Sequence, residues 1–379
     1  MFTNIEKVMS SNSFLTEPDA EIVPFEQLRS IVESEFQVED GFVEYGVPTF
    51  HIRAQRDSKK AFLRLVDRLD PLGFVPILRS EEGKSVLKAM RKPATKPSRK
   101  TINMVLLFAT LATVFFAGYL QSMFFYSDLG ITSQSWYLAG AVMFTGAIMG
   151  VLGSHEMGHK IAADKHKVEA TYPYFIPGPP PIGTFGAVIR QKSLPPNRDA
   201  LFDIGSAGPI IGFLVAIVVT IIGIPLSSYT WISEGDPTLP ISPLFLLIMR
   251  YIQPLGEPPS NGAGILAVSP HPVAFAGWIG MIVTSLNLIP VGMFDGGHIA
   301  ETFLGKRART IMSYLAIIAF LVLGFFVWES FIVWAMIAIF FSFMRHPGPL
   351  DSASKVTTWR KMAALGMVAI FFLSFPFLI

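Results

Sequence analysis

The sequence predicts a polytopic α-helical membrane protein of about seven transmembrane helices with a small N-terminal soluble α+β domain. Three observations predict it. Hydrophobic residues make up 51% of the 379-residue chain and charged residues only 15%, with a mean hydropathy of +0.49, which argues against a purely water-soluble globule. Long apolar runs recur from residue 102 onward. Residues 1–95 differ in kind, with short helical and strand-like patterns in a polar background. The formal charge of +2 carries no signal for nucleic acid, so the placing of the charges holds the information. The absence of cysteine removes disulfides and thiolate metal sites, leaving His, Asp and Glu as the strong metal ligands.

In the N-terminal domain, "PFEQLRSIVESEF" has helical apolar spacing and "GFVEYG" and "TFHIRAQ" alternate as strands. "KKAFLRLVDRLDPLG" is helical with a Pro-Gly stop, and "FVPILRS" is a further strand. The opening "MFTNIEKVMSSNSF" lacks a basic start followed by an apolar core, so no cleavable signal peptide is expected and targeting falls to internal spans. A basic, proline-containing linker at 96–101 leads into a transmembrane core over 102–300, which includes an interfacial β-segment near 170–195. C-terminal transmembrane helices complete the chain over 301–379.

Crossings are expected near 102–126, 136–160, 203–225, 273–293, 310–328, 331–344 and 362–379. The 331–344 run is short; Glu329 in "FFVWESFIV" suits a tight turn between two spans, with a re-entrant pair as the competing reading. "SPLFLLIMRYI" is apolar but too short to cross and is read as interfacial. Every second loop is basic: Arg91, Lys92, Lys96, Arg99 and Lys100, then Lys160 to Arg198, then "GKRAR" at 305–309, then Arg345, Lys355, Arg360 and Lys361. The alternate loops add almost nothing beyond Arg250, so the N-terminal domain and the end of the second span are expected to face the cytoplasm of a multi-pass cell-membrane protein. No long-period repeat is present.

The second apolar run ends in "HEMGH". His155 and His159 are four residues apart, so on a helix they share one face about 6 Å apart along the axis, which suits two imidazoles on one zinc ion. Glu156 is then placed to take a proton from a zinc-activated water instead of binding the metal. Ionisable groups at membrane depth cost roughly 2.5 kcal/mol or more each, so three within five residues need compensating partners. The fourth run, "VAFAGWIGMIVTSLNLIPVGMFDGGHI", carries Asn287, Asp295 and His298 towards the same membrane face. Pro290, Gly292 and the Gly296-Gly297 pair should open the helix there. A catalytic tetrahedral site needs three protein ligands; Asp295 is the best third, with His298 its rival.

"HEMGH" and "NLIPVGMFDGG", together with "GTFGAVIRQK" and "GSAGPIIGF" between them, resemble the site-2 proteases, the family of intramembrane zinc metalloproteases. The resemblance covers about residues 102–300. It implies that His155, His159 and Asp295 bind Zn2+, that Glu156 is the general base, and that Asn287 positions the substrate or stabilises the oxyanion. It also implies a transmembrane protein substrate held within the lipid bilayer. No PDZ-like insertion or nucleotide-sensing tandem is seen, so the family's regulatory inputs do not carry over.

A shielded helical peptide bond must unwind before water can attack it. "TFGAVIRQ" at 184–191 alternates as an edge strand that could pair with unwound substrate; the alternative is a surface hairpin without substrate contact. Gly205, Gly208 and Gly212 form a small-residue face for close packing of the third span on the second. His51, His166, His271 and His346 read as solvated or interfacial, and the Phe-rich stripe "FFVWESFIVWAMIAIFFSFM" as lipid-facing or packing surface. Two competing functions are a divalent-metal transporter and an inactive protease-like membrane adaptor. For the N-terminal domain a substrate filter or autoregulatory lid is expected.

Overall fold

A computed structural model describes residues 23–53, 57–81, 83–93, 99–236, 238–260, 264–326, 329–342 and 348–376. The N-terminal peptide, residues 96–98 of the basic linker, Arg345 and His346 therefore lie outside the described residues.

The N-terminal domain opens with α1 (Phe25–Glu33), which buries Leu28 and Val32 one turn apart. Strands β1 (Val38–Glu44) and β2 (Val47–Ile52) follow, joined at Tyr45 and Gly46, whose positive φ of 49° and 78° suits a two-residue hairpin. Next, α2 (Ser58–Leu69) buries Ala61, Phe62, Leu65 and Leu69 and stops at Asp70-Pro71 and the left-handed Gly73. Strands β3 (Phe74–Glu81) and β4 (Lys84–Arg91) complete an antiparallel sheet ordered β1-β2-β4-β3. The helices and β1 to β3 match the sequence reading. Strand β4 was not expected, because "KSVLKAMR" is rich in helix formers; pairing on both sides overrides that preference.

The membrane part begins with α3 (Lys100–Asp128) and α4 (Gln134–Lys165), followed by a hairpin of β5 (Tyr174–Pro177) and β6 (Thr184–Val188). Helix α5 (Arg198–Leu226) is capped by Asn197, whose Oδ1 accepts the Ala200 N–H at 2.9 Å. Strand β7 (Ser228–Ile232), the short α6 (Pro243–Tyr251) and β8 (Ile265–Ser269) form the next connection. The chain ends in α7 (Pro272–Asn287), α8 (Asp295–Phe326), α9 (Ser330–Ser342) and α10 (Thr358–Ser374).

Among the described residues, four helices are long and apolar enough to cross a membrane: α3, α4, residues 198–223 of α5, and α8. The chain is thus a membrane protein carrying an α+β region at its N-terminal side. Of the other expected crossings, α7 has 16 residues, α9 has 13 and α10 has 17, shorter than the roughly 20 a perpendicular crossing needs. The largest departure is at the fourth run. Instead of continuing to 293, α7 ends at Asn287, and Asp295 opens a new helix. Pro290 cannot donate a helical hydrogen bond and Gly292 takes φ 45°, so the chain turns over 288–294. Helix α8 is itself broken at Gly305, at φ 76° and ψ 176°. The expected interfacial segment is α6, which buries Phe245 and Ile248 and exposes Leu246, Leu247 and Tyr251.

The β5-β6 hairpin lies along the first half of α3. Asn103 Nδ2 donates to Tyr172 O at 3.1 Å near the start of α3, and Thr113 Oγ1 donates to Gly183 O at 2.7 Å. Those helix positions are about 15 Å apart along the axis, so the hairpin re-enters alongside α3. A Cβ on Gly183 would lie 2.6 Å from Thr113 O, so only glycine permits this contact.

The N-terminal sheet does not end at β3. Leu78 N–H donates to Leu350 O at 3.0 Å, Ser352 N–H donates to Leu78 O at 3.2 Å, and Asp351 N–H donates to Pro196 O at 3.0 Å. Residues 350–352 thus cover the β3 edge and join it to the segment that caps α5, while Leu350 enters the soluble core. Lys59 Nζ to Asp199 Oδ2 at 2.7 Å adds an ion pair across the same junction. Truncation by Leu350→Ala is expected to weaken this docking by roughly 2–3 kcal/mol, read as faster hydrogen exchange of the Leu78 amide; unchanged exchange would remove Leu350 as the anchor.

Candidate metal centre

Helix α4 presents His155 and His159 on one face, as the spacing required, and both are buried. Their Nε2 atoms lie 3.1 Å apart. Asp295, in the first turn of α8, completes a triangle, with Oδ2 3.3 Å from each Nε2. Four ligands held tetrahedrally at about 2.0–2.1 Å from zinc are separated by about 3.3 Å, so these three atoms have the spacing of three corners of such a shell.

Hydrogen-bond accounting points the same way. His159 Nδ1 lies 2.7 Å from Ile204 O, and since a carbonyl only accepts, the neutral ring has its proton on Nδ1 and a lone pair on Nε2. A single Nε2 proton on His155 cannot serve both the His159 lone pair and Asp295 Oδ2. One cation at the centre satisfies all three donor atoms, and two neutral imidazoles with one carboxylate leave a divalent site at a formal charge of +1. The donor set therefore fits zinc.

Glu156 stands just outside. Its Oε1 is 4.0 Å from His155 Nε2, while its Oε2 accepts the Ile189 N–H at 2.9 Å, just past the end of β6. Asn287, the last residue of α7, brings Nδ2 to 3.2 Å from His155 Nε2. All five expected site residues thus converge. His298, the rival third ligand, is buried on the next part of α8; a Cβ added to Gly205 would lie 3.2 Å from its Cβ. Gly205 therefore serves the approach of α8, while the other two glycines serve α4. A Cβ on Gly208 would overlap the His159 ring, and one on Gly212 would lie 2.9 Å from His155 Nδ1.

Several contributors escaped the sequence reading. Ile204 O and Ile189 N–H are backbone groups, which no motif displays. His166, read as solvated, pairs with Asp203 Oδ2 at 2.8 Å, and Asp203 is also gripped by Arg360 at 2.7 and 2.5 Å. The signal was an acid beside an apolar run, one residue before Ile204. His271 is likewise buried, accepting the Val273 N–H at 3.2 Å and meeting Tyr126 OH at 3.1 Å, so it packs the helix start instead of facing solvent. His51 is half-buried edge-on to Phe42, with no role at the site.

These features define a class: a membrane-embedded helical protein with a His-Glu-x-x-His pair and a distant aspartate around one point. Residues 143–328, just under half of the chain, match the model of Peptidase family M50, the site-2 proteases. Similar curated proteins include "Probable zinc metalloprotease EGY1, chloroplastic" of Arabidopsis thaliana, 31% identical over 62% of this chain and 42% of its own. The protein of the same name in Oryza sativa subsp. japonica is 33% identical over 56% of this chain and 36% of its own. "Probable zinc metallopeptidase EGY3, chloroplastic" of Arabidopsis thaliana is 29% identical over 54% and 37%. The chain thus spans less than half the length of these relatives. No solved structure matches it.

Gly208→Ala is expected to displace His159 and lower the metal bound per purified protein by at least tenfold. Gly146→Ala on α4, the helix of His159, where a Cβ meets nothing within 4 Å, should leave it unchanged. Metal analysis by mass spectrometry checks both, and equal metal content would show that the α4–α5 approach does not set the site.

Proposed function

We propose that the chain is an intramembrane zinc endopeptidase that hydrolyses a peptide bond in or near a transmembrane segment of a membrane-protein substrate. The observation that carries this reading is the triangle of His155, His159 and Asp295 with Glu156 one step beyond it. The relatives' printed names, zinc metalloprotease and metallopeptidase, support it.

His155 Nε2, His159 Nε2 and Asp295 Oδ2 would hold the ion, which when bound supplies Lewis acidity, acidifying water and polarising a carbonyl. Glu156 takes the proton of the attacking water on its free Oε1 and returns it to the departing amine nitrogen, so the peptide C–N bond breaks with no net proton change. The Asn287 amide donates to the substrate carbonyl oxygen as negative charge builds there. Ile204 O holds the His159 proton on Nδ1 and keeps the ring aimed.

The substrate is read as an unwound helix laid along the β5-β6 hairpin. Phe185 is 73% exposed and Val188 50% exposed, while the Ile189 amide anchors the base, so a strand paired on β6 would be registered against Glu156. The loop charges support a cytoplasmic position for this end of the protein, which predicts cleavage near the inner face of a cell membrane. The N-terminal domain, joined by backbone pairing to the cap of α5, is assigned the role of substrate filter or lid; deleting residues 1–95 should then change rate or substrate choice. A divalent-cation transporter would need ionisable groups through the membrane's depth, whereas the motif residues cluster at one end.

The deciding test is proteolysis of a single-span substrate in proteoliposomes. Glu156→Gln should lower the rate by roughly 10²–10⁴-fold while zinc stays bound, whereas His155→Ala and Asp295→Ala should lose the zinc as well. Unimpaired cleavage by Glu156→Gln would sink the mechanism, and zinc transport by that variant would favour the transporter.

A further inference from the structure

Asp295 does not sit in the middle of a span. It follows the turn 288–294 and opens α8, so its carboxylate is only as well placed as that turn. A polar side chain that reaches the turn from elsewhere is Ser313, in the second half of α8 and 5% exposed. Its hydroxyl donates to Pro290 O at 3.1 Å and accepts the Gly292 N–H at 3.4 Å, with Arg309 O at 3.0 Å as an alternative acceptor for its proton. One hydroxyl thereby spans the bend on which Asp295 is hung.

Two further contacts close the arrangement. Glu301 and Arg309, both buried, pair at 2.7 Å across the Gly305 break, fixing the half of α8 that begins with Asp295 to the half that carries Ser313. On the outer side of the turn, the Phe294 ring lies 4.9 Å from that of Phe341 in α9, and a Cβ on Gly292 would lie 2.7 Å from the Phe341 carbonyl carbon. The path from Asp295 through α8 to Ser313 and back through Pro290 and Gly292 is a closed ring of covalent and polar links. The Phe-rich stripe, expected to be lipid-facing or packing surface, thus supplies one wall of the turn.

We propose that Ser313 is a positioning residue for Asp295, setting through Pro290 and Gly292 the turn from which the carboxylate reaches the histidine pair and so setting the affinity for the metal. The proposal rests on the reading of His155, His159 and Asp295 as a zinc site. Groups that orient a ligand from outside the coordination shell typically contribute 10–100-fold in metal affinity, and one acting through backbone belongs at the low end.

The test is chelator competition for zinc on the full-length protein in detergent, with thermal unfolding measured on each variant. Ser313→Ala is expected to bind zinc about tenfold more weakly, and Ser313→Thr, which keeps the hydroxyl, to return to within about twofold of the parent. Ser122→Ala removes another buried hydroxyl, bonded to Gly118 O in α3, and should leave zinc affinity unchanged. Parent affinity in Ser313→Ala, a loss that Ser313→Thr fails to restore, or an equal loss in Ser122→Ala would each overturn the proposal. Asp295→Ala separates the two levels: if it binds zinc as the parent does, the metal-site reading has failed instead.

Discussion

The close approach of α4 and α5 is the constraint on which the rest of the molecule depends. Two imidazoles and a carboxylate can be buried at membrane depth only if they face one another, and facing requires space between helices. Gly208 and Gly212 provide it by presenting bare backbone beneath the two rings. The same approach runs in the other direction, since a Cβ on Gly158 of α4 would lie 2.7 Å from Ala207 O. Close contact also puts Ile204 O within reach of His159 Nδ1, so one piece of geometry supplies both the room for the ring and its orientation.

Around that contact the chain is deliberately irregular. The turn at 288–294, the Gly305 break and the re-entrant β5-β6 hairpin all expose backbone groups that a continuous span would satisfy internally. The turn and the hairpin are held by protein side chains: Ser313 meets Pro290 and Gly292, and Thr113 meets Gly183 O. Irregular backbone at membrane depth is tolerated on those terms. It allows Asp295 to point inward from a helix start and the Ile189 amide to fix Glu156 from a strand end, directions that a straight helix could not combine.

The junction with the N-terminal domain follows the same logic. A sheet edge left open is prone to pair elsewhere, and β3 is closed by residues 350–352, which in turn pair with the segment capping α5. Asp199 and Asp203, one turn apart at the start of α5, gather Lys59, Thr357, Arg360 and His166 from three other parts of the chain. The start of α5 is therefore held from the soluble domain, from the end of α4 and from α10, directly beside the carbonyl that orients His159.

By itself the sequence determined the class of protein and which side chains the fold brings together around His155 and His159. Hydropathy, the four-residue histidine spacing and the polar end of the fourth run are local patterns, and local patterns fix helix faces and ligand types. Tertiary structure decided what no local pattern contains. The fourth run stops at Asn287 because Pro290 and Gly292 need a turn that α8 and α9 can hold, and β4 is a strand because two neighbours pair with it. His166 and Asp203 look solvated until the fold brings Arg360 beside them. Groups such as Ile204 O and Ile189 N–H occur at every residue of any chain, so their roles come from proximity alone, and proximity is set by packing between distant segments.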